Sequence, residues 1–225
     1  MTSPRESTNP SNARKQGGAG AFDEGLIREA IGRTARVEVD DSGLSRVLAG
    51  RADAEGLIEV AYCEVDSPLG RLLVAATDRG LVRVGWANDD HDLILGELAA
   101  SIGPRVVEAP ARFDPLRTEL DEYFAGSRRS FEQPLDWRLS GGFTREVLHR
   151  TAEIPFGETR TYAEIATAAG SPRAYRAAGS ALGANPIPIV VPCHRVLRTN
   201  GGLGGYGGGI EAKRALLRIE RAELT

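Results

Sequence analysis

Cysteine and histidine are scarce in this sequence of 225 residues, which contains two cysteines, Cys63 and Cys193, and three histidines. Two cysteines so far apart do not form the disulfide framework of a small secreted domain, and a reducing compartment suits a free thiol. The histidines form no close cluster with the cysteines, so their spacing predicts no metal site. No apolar run is long enough to span a bilayer, and residues 1–20 lack the apolar centre of a signal peptide. These absences predict a protein of the cytoplasm with no membrane span.

An excess of positive charge is missing too, because the formal net charge is −3 at pH 7. The charge is unevenly distributed, since residues 151–225 carry nine Lys and Arg against six acidic residues and the remainder of the chain is acidic. This asymmetry favours a C-terminal part that faces a polyanion and an acidic remainder. A solvated surface of mixed charge would also explain the distribution, so charge alone leaves both readings open.

The composition changes along the chain and predicts four segments. Residues 1–20 are rich in Ser, Pro, Asn and Gly and are predicted to be a disordered tail. Residues 21–56 form an N-terminal extension with one or two short amphipathic helices and no assigned role. Residues 57–140 alternate apolar and other residues around two turns and continue with two helical patterns, which predicts an α/β platform domain. Residues 141–225 are mostly helical in pattern.

The platform begins with a predicted three-stranded antiparallel meander that turns at residues 67–70 and 78–80. Cys63 lies on the face of its first strand that also carries Ala61 and Val65. We therefore predict that Cys63 is a core thiol without a chemical function.

Two short helices joined by a tight turn are predicted in the C-terminal segment. Thr161 and Glu164 match a capping box, Gly170 ends the first helix, and Ser171-Pro172 starts the second at once, which is typical of a helix-turn-helix. The second helix combines small residues with two long basic side chains: Ala174, Ala177, Ala178, Gly179, Ser180 and Ala181 with Arg173 and Arg176. Close helix packing would explain the small residues. A thin basic helix also suits the minor groove of DNA.

The stretch "IPIVVPCHRV" at residues 187–196 places a cysteine directly beside a histidine. The apolar run 187–191 reads as a short strand that ends at Pro192, because proline cannot donate to a central ladder. Adjacent side chains such as Cys193 and His194 can cooperate only where the chain bends. A thiol at such a bend can act as a nucleophile in its thiolate form. The alternative is an inert core thiol, since free cysteine is among the most buried residue types.

The segment "NGGLGGYGGG" contains Gly202, Gly204 and Gly207 in the spacing of a dinucleotide-binding fingerprint. That fingerprint belongs to the first turn of a βαβ unit, and no second strand follows here. The glycines instead predict a loop whose backbone passes close to another group before a final helix, with Tyr206 as its one large side chain.

With these motifs in place, the chain resembles the O6-alkylguanine-DNA alkyltransferases. The resemblance depends on "PCHR" at residues 192–195, "IPFGETRTYAEIA" at 154–166, and the Gly-rich segment followed by "KRALLRIE" at 213–220. It is strong over residues 141–225 and weaker over 57–140. It implies an α+β fold with an N-terminal ribonuclease-H-like platform of antiparallel strands. The C-terminal domain would be mostly helical and winged-helix-like, with a helix-turn-helix.

The resemblance also implies a reaction. Cys193 would take the alkyl group from O6 of a flipped guanine, irreversibly and once per molecule. His194 and Glu220 would draw the thiol proton through a bound water, so we expect them to lower the pKa of Cys193. Asn185 would connect the helix-turn-helix to the strand bearing Cys193, and Tyr162 would protonate the departing guanine. The resemblance leaves open whether O4-alkylthymine is a substrate as well.

Other residues would bind the substrate. The guanine pocket would be lined by Val196, Tyr206 and the backbone amide of Gly207, a position at which several relatives carry a side chain. The residues expected to contact DNA are Arg176, which would fill the gap left by the flipped base, and Arg173, Ala177, Ala178 and Gly179. The partner would be double-stranded DNA containing O6-alkylguanine. No cofactor, membrane or obligate protein partner is expected, and the protein would act as a monomer.

Three other functions compete with this reading. Alkyltransferase-like damage sensors lack the acceptor cysteine, which is present here as Cys193. A cysteine hydrolase could use Cys193, His194 and Glu220, but hydrolytic Cys/His pairs normally come from separated elements. The third is a helix-turn-helix regulator without chemistry. A turnover assay separates these functions, since one alkyl group per protein indicates an alkyltransferase, many products a hydrolase, and none a sensor or regulator.

Overall fold

The computed structural model describes residues 41–221. The predicted tail at 1–20 and the first part of the extension, up to residue 40, lie outside the described residues. Within residues 41–221 no helix combines the length and apolarity needed to cross a membrane. The described part of the extension forms helix α1, Asp41–Ala54. This helix contacts the core through Ala49, which is buried beside Ile58.

The platform contains the predicted meander and one strand more. Strands β1 (Val60–Val65), β2 (Leu72–Thr77) and β3 (Gly80–Gly85) pair antiparallel in sequence order, as predicted. A short strand, β4 (Val106–Glu108), was not predicted and pairs parallel with β1. The sheet order is therefore β3-β2-β1-β4. Strand β2 is almost entirely buried because it is central and both of its faces are covered.

The two faces of this sheet bury different partners. One face packs against α2 (His91–Ser101), whose N-terminus is capped by the Asp90 carboxylate accepting from the Leu93 amide at 3.0 Å. The other face packs against α3 (Asp114–Phe124) and belongs to a core that continues into the C-terminal part. Cys63 lies on this second face with Ala61 and Val65, as predicted, and burial raises the pKa of its thiol to about 11.

The C-terminal part contains four helices and a two-stranded sheet. Helix α4 (Gly142–Ala152) precedes the pair α5 (Tyr162–Ala168) and α6 (Tyr175–Gly183), and α7 (Ile210–Ile219) follows the Gly-rich segment. Short strands β5 (Arg160–Thr161) and β6 (Val196–Leu197) pair in parallel. The arrangement agrees with the predicted α+β fold and its helical C-terminal domain.

The helix-turn-helix is present with the predicted signals. The Thr161 hydroxyl accepts from the Glu164 amide at 3.2 Å, and the Glu164 carboxylate accepts from the Thr161 amide, which closes the capping box. Gly170 follows α5 with a φ of 75°, a conformation that glycine adopts without steric penalty. The second helix starts later than predicted, because residues 171–174 form a turn closed by the Ala174 amide donating to the Ser171 carbonyl. Arg173 therefore lies in the turn and not on the helix.

The predicted strand at residues 187–191 is absent. The run is buried, as its apolar composition requires, but the Val191 amide donates to the Ile187 carbonyl at 2.8 Å and closes a turn. Ile189 has a φ of 73°, which reverses the chain and is costly for a β-branched residue. The sequence prediction was wrong here because a short buried apolar run has the same composition in a strand and in a buried turn.

Candidate active site

Cys193 begins a single 3-10 turn, Cys193–Arg195, immediately after Pro192. Adjacent side chains can cooperate only where the chain bends, and this turn provides the bend between Cys193 and His194. Asn185 connects this turn to the end of α6. Its Nδ2 donates to the Val191 carbonyl at 2.9 Å and lies 3.0 Å from the Cys193 sulfur, while its Oδ1 accepts from the Ile187 amide. The predicted connecting residue therefore joins α6 to the cysteine turn, and not to a strand.

The thiol of Cys193 is buried, with 8% of the residue exposed. Burial raises its pKa above the ordinary value, although the hydrogen bond from Asn185 and the charge of Lys213 act in the opposite direction. The expectation that His194 and Glu220 lower this pKa is therefore wrong for the protein without substrate. Desolvation of the sulfur is the dominant effect, so the group at rest is a thiol and its proton must be removed during reaction.

Glu220 lies just after α7, and its buried carboxylate accepts five hydrogen bonds from four residues. Oε1 accepts from the Tyr123 hydroxyl at 2.7 Å, from His194 Nε2 at 2.8 Å and from Arg195 at 2.9 Å. Oε2 accepts from Arg195 Nε at 2.8 Å and, more weakly, from the Gly157 amide at 3.4 Å. Burial alone would raise the pKa of Glu220, but the hydrogen bonds from His194 and Arg195 outweigh it and hold the pKa at about 2.

This carboxylate determines the tautomer of His194. An ionised carboxylate only accepts hydrogen bonds, so His194 Nε2 carries a proton and donates it to Glu220. Burial lowers the pKa of His194, in spite of the opposing effect of Glu220, so the ring is neutral and its Nδ1 carries a free lone pair. Nδ1 is buried and has no hydrogen-bond partner among the described residues. The imidazole adjoining Cys193 is therefore a neutral base whose basic nitrogen is available.

Lys213 holds the Gly-rich loop, defined here as residues 200–209, against the site. Its ammonium donates to the carbonyls of Val196 at 2.6 Å and Leu203 at 2.5 Å, which joins α7, β6 and the loop. Burial lowers the pKa of Lys213 to about 8, against the opposing effect of Cys193. Lys213 thus places a positive charge near the sulfur of Cys193.

The Cys193 side chain faces a cavity of about 770 Å³ between α6 and the Gly-rich loop. Of the predicted site residues, the structure brings six to this cavity: Cys193, Tyr162, Tyr206, Gly207, Arg176 and Gly179. Tyr206 stands edge-on to His194, with 6.4 Å between ring centroids, and its buried hydroxyl interacts with the Cys193 thiol, which lowers the pKa of that thiol against the larger effect of burial. A cavity of this volume accommodates a nucleobase.

Some predicted residues do not reach the cavity. The side chain of Val196 is fully buried in β6, and its carbonyl is occupied by Lys213. Ala178 faces the core from α6, whereas Arg173 and Ala177 are exposed outside the cavity. Among residues 41–221 no group of three His, Cys, Asp or Glu side chains is arranged to hold a metal ion.

Three residues of the site were not predicted: Tyr123, Arg195 and Lys213. Arg195 forms a bidentate ion pair with Glu220, and its place in the Pro-Cys-His-Arg stretch was a usable signal. Lys213 had a usable signal as well, since it is a single lysine on the apolar side of an amphipathic helix pattern. Tyr123 comes from α3 of the platform, and its long separation from the site left no local signal.

Two family models match this chain. Residues 58–137 match the ribonuclease-like domain of 6-O-methylguanine DNA methyltransferase, and residues 142–222 match its DNA-binding domain. A methylated-DNA–protein-cysteine methyltransferase of Methanosarcina barkeri is 38% identical over 163 residues, which covers 72% of this chain and 98% of that protein. The corresponding inducible protein of Bacillus subtilis is 39% identical and covers 66% of this chain and 83% of its own length.

Solved structures agree with these matches. The O6-methylguanine methyltransferase of Mycobacterium tuberculosis aligns with a TM-score of 0.63 at 40% identity, over 72% of this chain and 93% of its own. A structure of Mycobacterium tuberculosis OGT in complex with DNA aligns with a TM-score of 0.62 at 39% identity, with the same coverage. Together with the cysteine turn and its cavity, these matches show that the chain belongs to the 6-O-methylguanine DNA methyltransferase family.

Proposed function

We propose that this protein repairs DNA by transferring the alkyl group of O6-alkylguanine to its own Cys193, irreversibly and once per chain. The observation that carries the proposal is the neutral His194, bound to the Glu220 carboxylate, beside a cysteine at a cavity of nucleobase size. The names of the relatives support the same activity. The protein would act as a monomer, without a cofactor, in the reducing cytoplasm.

The reaction is a displacement at carbon. The Cys193 sulfur attacks the alkyl carbon, a carbon–sulfur bond forms, and the bond between that carbon and guanine O6 breaks. The thiol proton passes through one water to His194 Nδ1, and the imidazolium that forms is stabilised by Glu220. The departing guanine takes a proton from the Tyr162 hydroxyl. Tyr162 regains a proton from solvent and His194 releases one to it, so the net transfer is from the thiol to guanine. The product is a thioether, which has no leaving group that would regenerate the thiol, and this explains a single turnover.

Access to the lesion requires nucleotide flipping, because guanine O6 lies inside the base stack. We infer that α6 enters the minor groove with its exposed face and that Arg176 occupies the space left by the flipped base. Arg176 lines the mouth of the cavity, and its guanidinium lies 5.7 Å from the ring centroid of the exposed Tyr175. Arg173, Ala177 and Gly179 would contact the DNA backbone nearby. Ala178 would support the helix from within.

The base would bind between Tyr162, Tyr206 and the backbone of Gly207. Glycine at position 207 offers only its backbone, so the cavity has no side chain there that selects between purine and pyrimidine. O4-alkylthymine presents a comparable alkyl–oxygen bond and is proposed as a second substrate. Val196 would act through its backbone, which Lys213 holds in place.

The test is the stoichiometry and position of transfer. The protein is incubated with duplex DNA containing O6-methylguanine and analysed by intact mass and by peptide mapping. We expect one methyl group per chain, on the peptide that contains Cys193. A methyl group on Cys63, or many product molecules per chain, would contradict the proposal. Binding of the lesion without transfer would indicate a damage sensor.

A further inference from the structure

The Gly-rich loop packs against Trp86 of the platform. This tryptophan follows β3 and only 6% of it is exposed. Its ring stands edge-on to Tyr206 with 5.4 Å between centroids. Tyr206 in turn stands edge-on to His194. A continuous row of packed rings therefore leads from the platform sheet to the imidazole beside Cys193.

The contact between Trp86 and the loop is fitted to glycine. A Cβ atom added to Gly208 would lie 2.7 Å from indole Cδ2 and Cε2, closer than carbon atoms approach without a shift. A Cβ atom on Gly207 would lie 3.5 Å from the indole nitrogen, which is ordinary contact. The backbone of Gly208 does not have a positive φ, so glycine is required at this position by the indole and not by the backbone conformation.

Few other interactions hold this part of the loop. Among the described residues, the polar contacts of residues 203–209 include the Lys213 ammonium with the Leu203 carbonyl, the Gly209 amide with the Tyr206 carbonyl and the Lys213 amide with the Gly209 carbonyl. The Tyr206 hydroxyl also interacts with the Cys193 thiol. Gly204 lies against the Tyr162 ring, where an added Cβ would be 2.5 Å from the hydroxyl. Gly207 and Gly208 lie against the Trp86 indole, so packing against this ring helps to set the position of residues 205–208.

Trp86 is itself fixed in place. Its amide donates to the Asp89 carboxylate at 2.8 Å, and its carbonyl accepts from the Asp89 amide at 3.0 Å. The same carbonyl lies 3.1 Å from His91 Nε2, at the start of α2. A surface that supports a ligand-binding loop must be more rigid than the loop, and this turn meets that requirement.

We propose that Trp86 is a positioning residue for the base-binding loop, through which the platform sets where Tyr206 and Gly207 lie relative to Cys193. The inference rests on the proposed function, since it assigns to the platform a part in binding the alkylated base. Trp86 does not touch the reacting atoms. It acts through Gly208 and Tyr206, and its removal or crowding displaces the loop.

The first test uses the fit between Trp86 and Gly208. The rate of transfer from free O6-benzylguanine is measured, because this substrate requires the loop but no base flipping. We expect Gly208→Ala to lower that rate by about tenfold or more, since a shift near 1 Å at a reacting centre has effects of that order. Gly96→Ala is the matched control, because this residue lies on α2, away from the loop, and a Cβ atom there meets no atom within 4 Å. It should leave the rate nearly unchanged.

The double variant Trp86→Leu, Gly208→Ala shows whether the effect passes through the indole. Leucine leaves room for the added methyl group, so the double variant should react faster than Gly208→Ala alone. Equal rates for Gly208→Ala and Gly96→Ala would overturn the inference. The inference would also be overturned if the loss of rate in the double variant equalled the product of the losses in Trp86→Leu and in Gly208→Ala.

A second measurement separates this inference from the proposed function. Iodoacetamide alkylates thiols without any DNA, so its rate at Cys193, mapped by peptide with Cys63 as internal reference, reports the position of the loop. We expect Gly208→Ala to raise this rate and Gly96→Ala to leave it nearly unchanged. If methyl transfer from DNA fails in the wild type while this difference persists, the proposed function is wrong and the positioning role stands. If transfer occurs and neither readout responds to Gly208→Ala, the positioning role is wrong.

Discussion

His194 Nε2 lies 2.8 Å from Glu220 Oε1, and both residues are buried, with 0% and 2% of their surface exposed. This one contact fixes the protonation of the ring, because the carboxylate can only accept a hydrogen bond. It leaves Nδ1 as the basic nitrogen of the ring, buried and without a hydrogen-bond partner among the described residues. Burial raises the pKa of the Cys193 thiol, and the His194–Glu220 pair supplies a proton acceptor on the adjacent residue.

The role of Glu220 can be tested with the variant Glu220→Gln, in which an uncharged amide replaces the carboxylate. Glu220→Gln removes the charge that stabilises an imidazolium at His194, so we expect methyl transfer at neutral pH to slow by about 100-fold or more. Lesion binding should change little, because Glu220 lies behind His194 and outside the main cavity. Raising the pH should recover part of the rate by ionising Cys193 directly. Single-turnover rates across a pH series provide the measurement.

The control for this variant is Tyr123→Phe. Glu220→Gln also leaves Arg195 without its buried partner, which costs about 3–5 kcal/mol, so it is assayed at low temperature with circular dichroism as a check of folding. Tyr123→Phe removes one donor to the same carboxylate and keeps its charge, and should slow transfer far less. Identical pH profiles for the wild type and Glu220→Gln would remove Glu220 from the mechanism.

The pH dependence of the wild type follows from His194. The active form of the ring is neutral, and burial lowers its pKa below the ordinary 6.5. Transfer should therefore persist as the pH falls through 6.5 and decline only at lower pH, where the imidazole becomes protonated. The measurement is the single-turnover rate with free O6-benzylguanine. If the rate at pH 6.5 were already half of its value at neutral pH, burial would not lower the pKa of His194 as the structure indicates.

The free energy of unfolding at acid pH should reveal the stabilising effect of ionised Glu220 independently of catalysis. Its folded pKa of about 2 lies below the ordinary 4.5, so its stabilising effect is complete above pH 4.5 and is lost as the pH falls towards 2. The difference corresponds to about 3 kcal/mol in the free energy of unfolding. Urea unfolding across this range should show a slope that is much smaller in Glu220→Gln. The control is Glu146→Gln, which removes an exposed ion pair to Arg150 and should keep the slope.

Arg176 is expected to matter only when a base must leave the stack. Arg176→Ala should slow repair of duplex DNA by at least about tenfold, because the energy of unstacking is then not offset. Transfer from free O6-benzylguanine should be nearly unchanged. Binding to undamaged duplex should weaken and remain sensitive to added salt. Equal losses on both substrates would show that Arg176 does not assist flipping.

Residues 1–56 are predicted to be dispensable for chemistry. A chain that starts near Gly56 retains every residue of the site and should keep its rate per active site. It loses the contact of Ala49 with the core, so its free energy of unfolding should fall modestly. Thermal unfolding and duplex repair provide the two measurements. A folded, truncated protein that fails on duplex DNA yet reacts with the free base would place this segment at the DNA interface.

Local signals predicted the parts of the fold that depend on local chemistry. The capping box at Thr161, the stop at Gly170 and the alternation around Cys63 each act within a few residues, and the structure has all three. The turn at 187–191 was missed because its backbone groups bond to the Asn185 side chain and to each other. Strand β4 was missed because three residues carry too little pattern to be read.

The candidate site divides in the same way. Cys193, His194 and Asn185 stand close together in sequence, and the family resemblance assigned Glu220. The contacts of Tyr123 with Glu220 and of Trp86 with Gly208 join residues far apart in the chain. No periodicity or spacing encodes such a contact, which exists only once the core between the platform and the C-terminal helices has formed.

The platform donates one of the hydrogen bonds that stabilise the buried charge of Glu220, through the hydroxyl of Tyr123. A carboxylate removed from water needs its donors in place at once, and these come from α3, the cysteine turn and residue 157. If the platform melts, the carboxylate loses the Tyr123 hydroxyl and part of the core that surrounds it, so the folded platform stabilises the C-terminal half. The two halves should therefore unfold on heating in a single cooperative transition. A chimera that joins residues 141–225 to an unrelated platform would keep Cys193 but would lose the hydrogen bond from Tyr123 to Glu220.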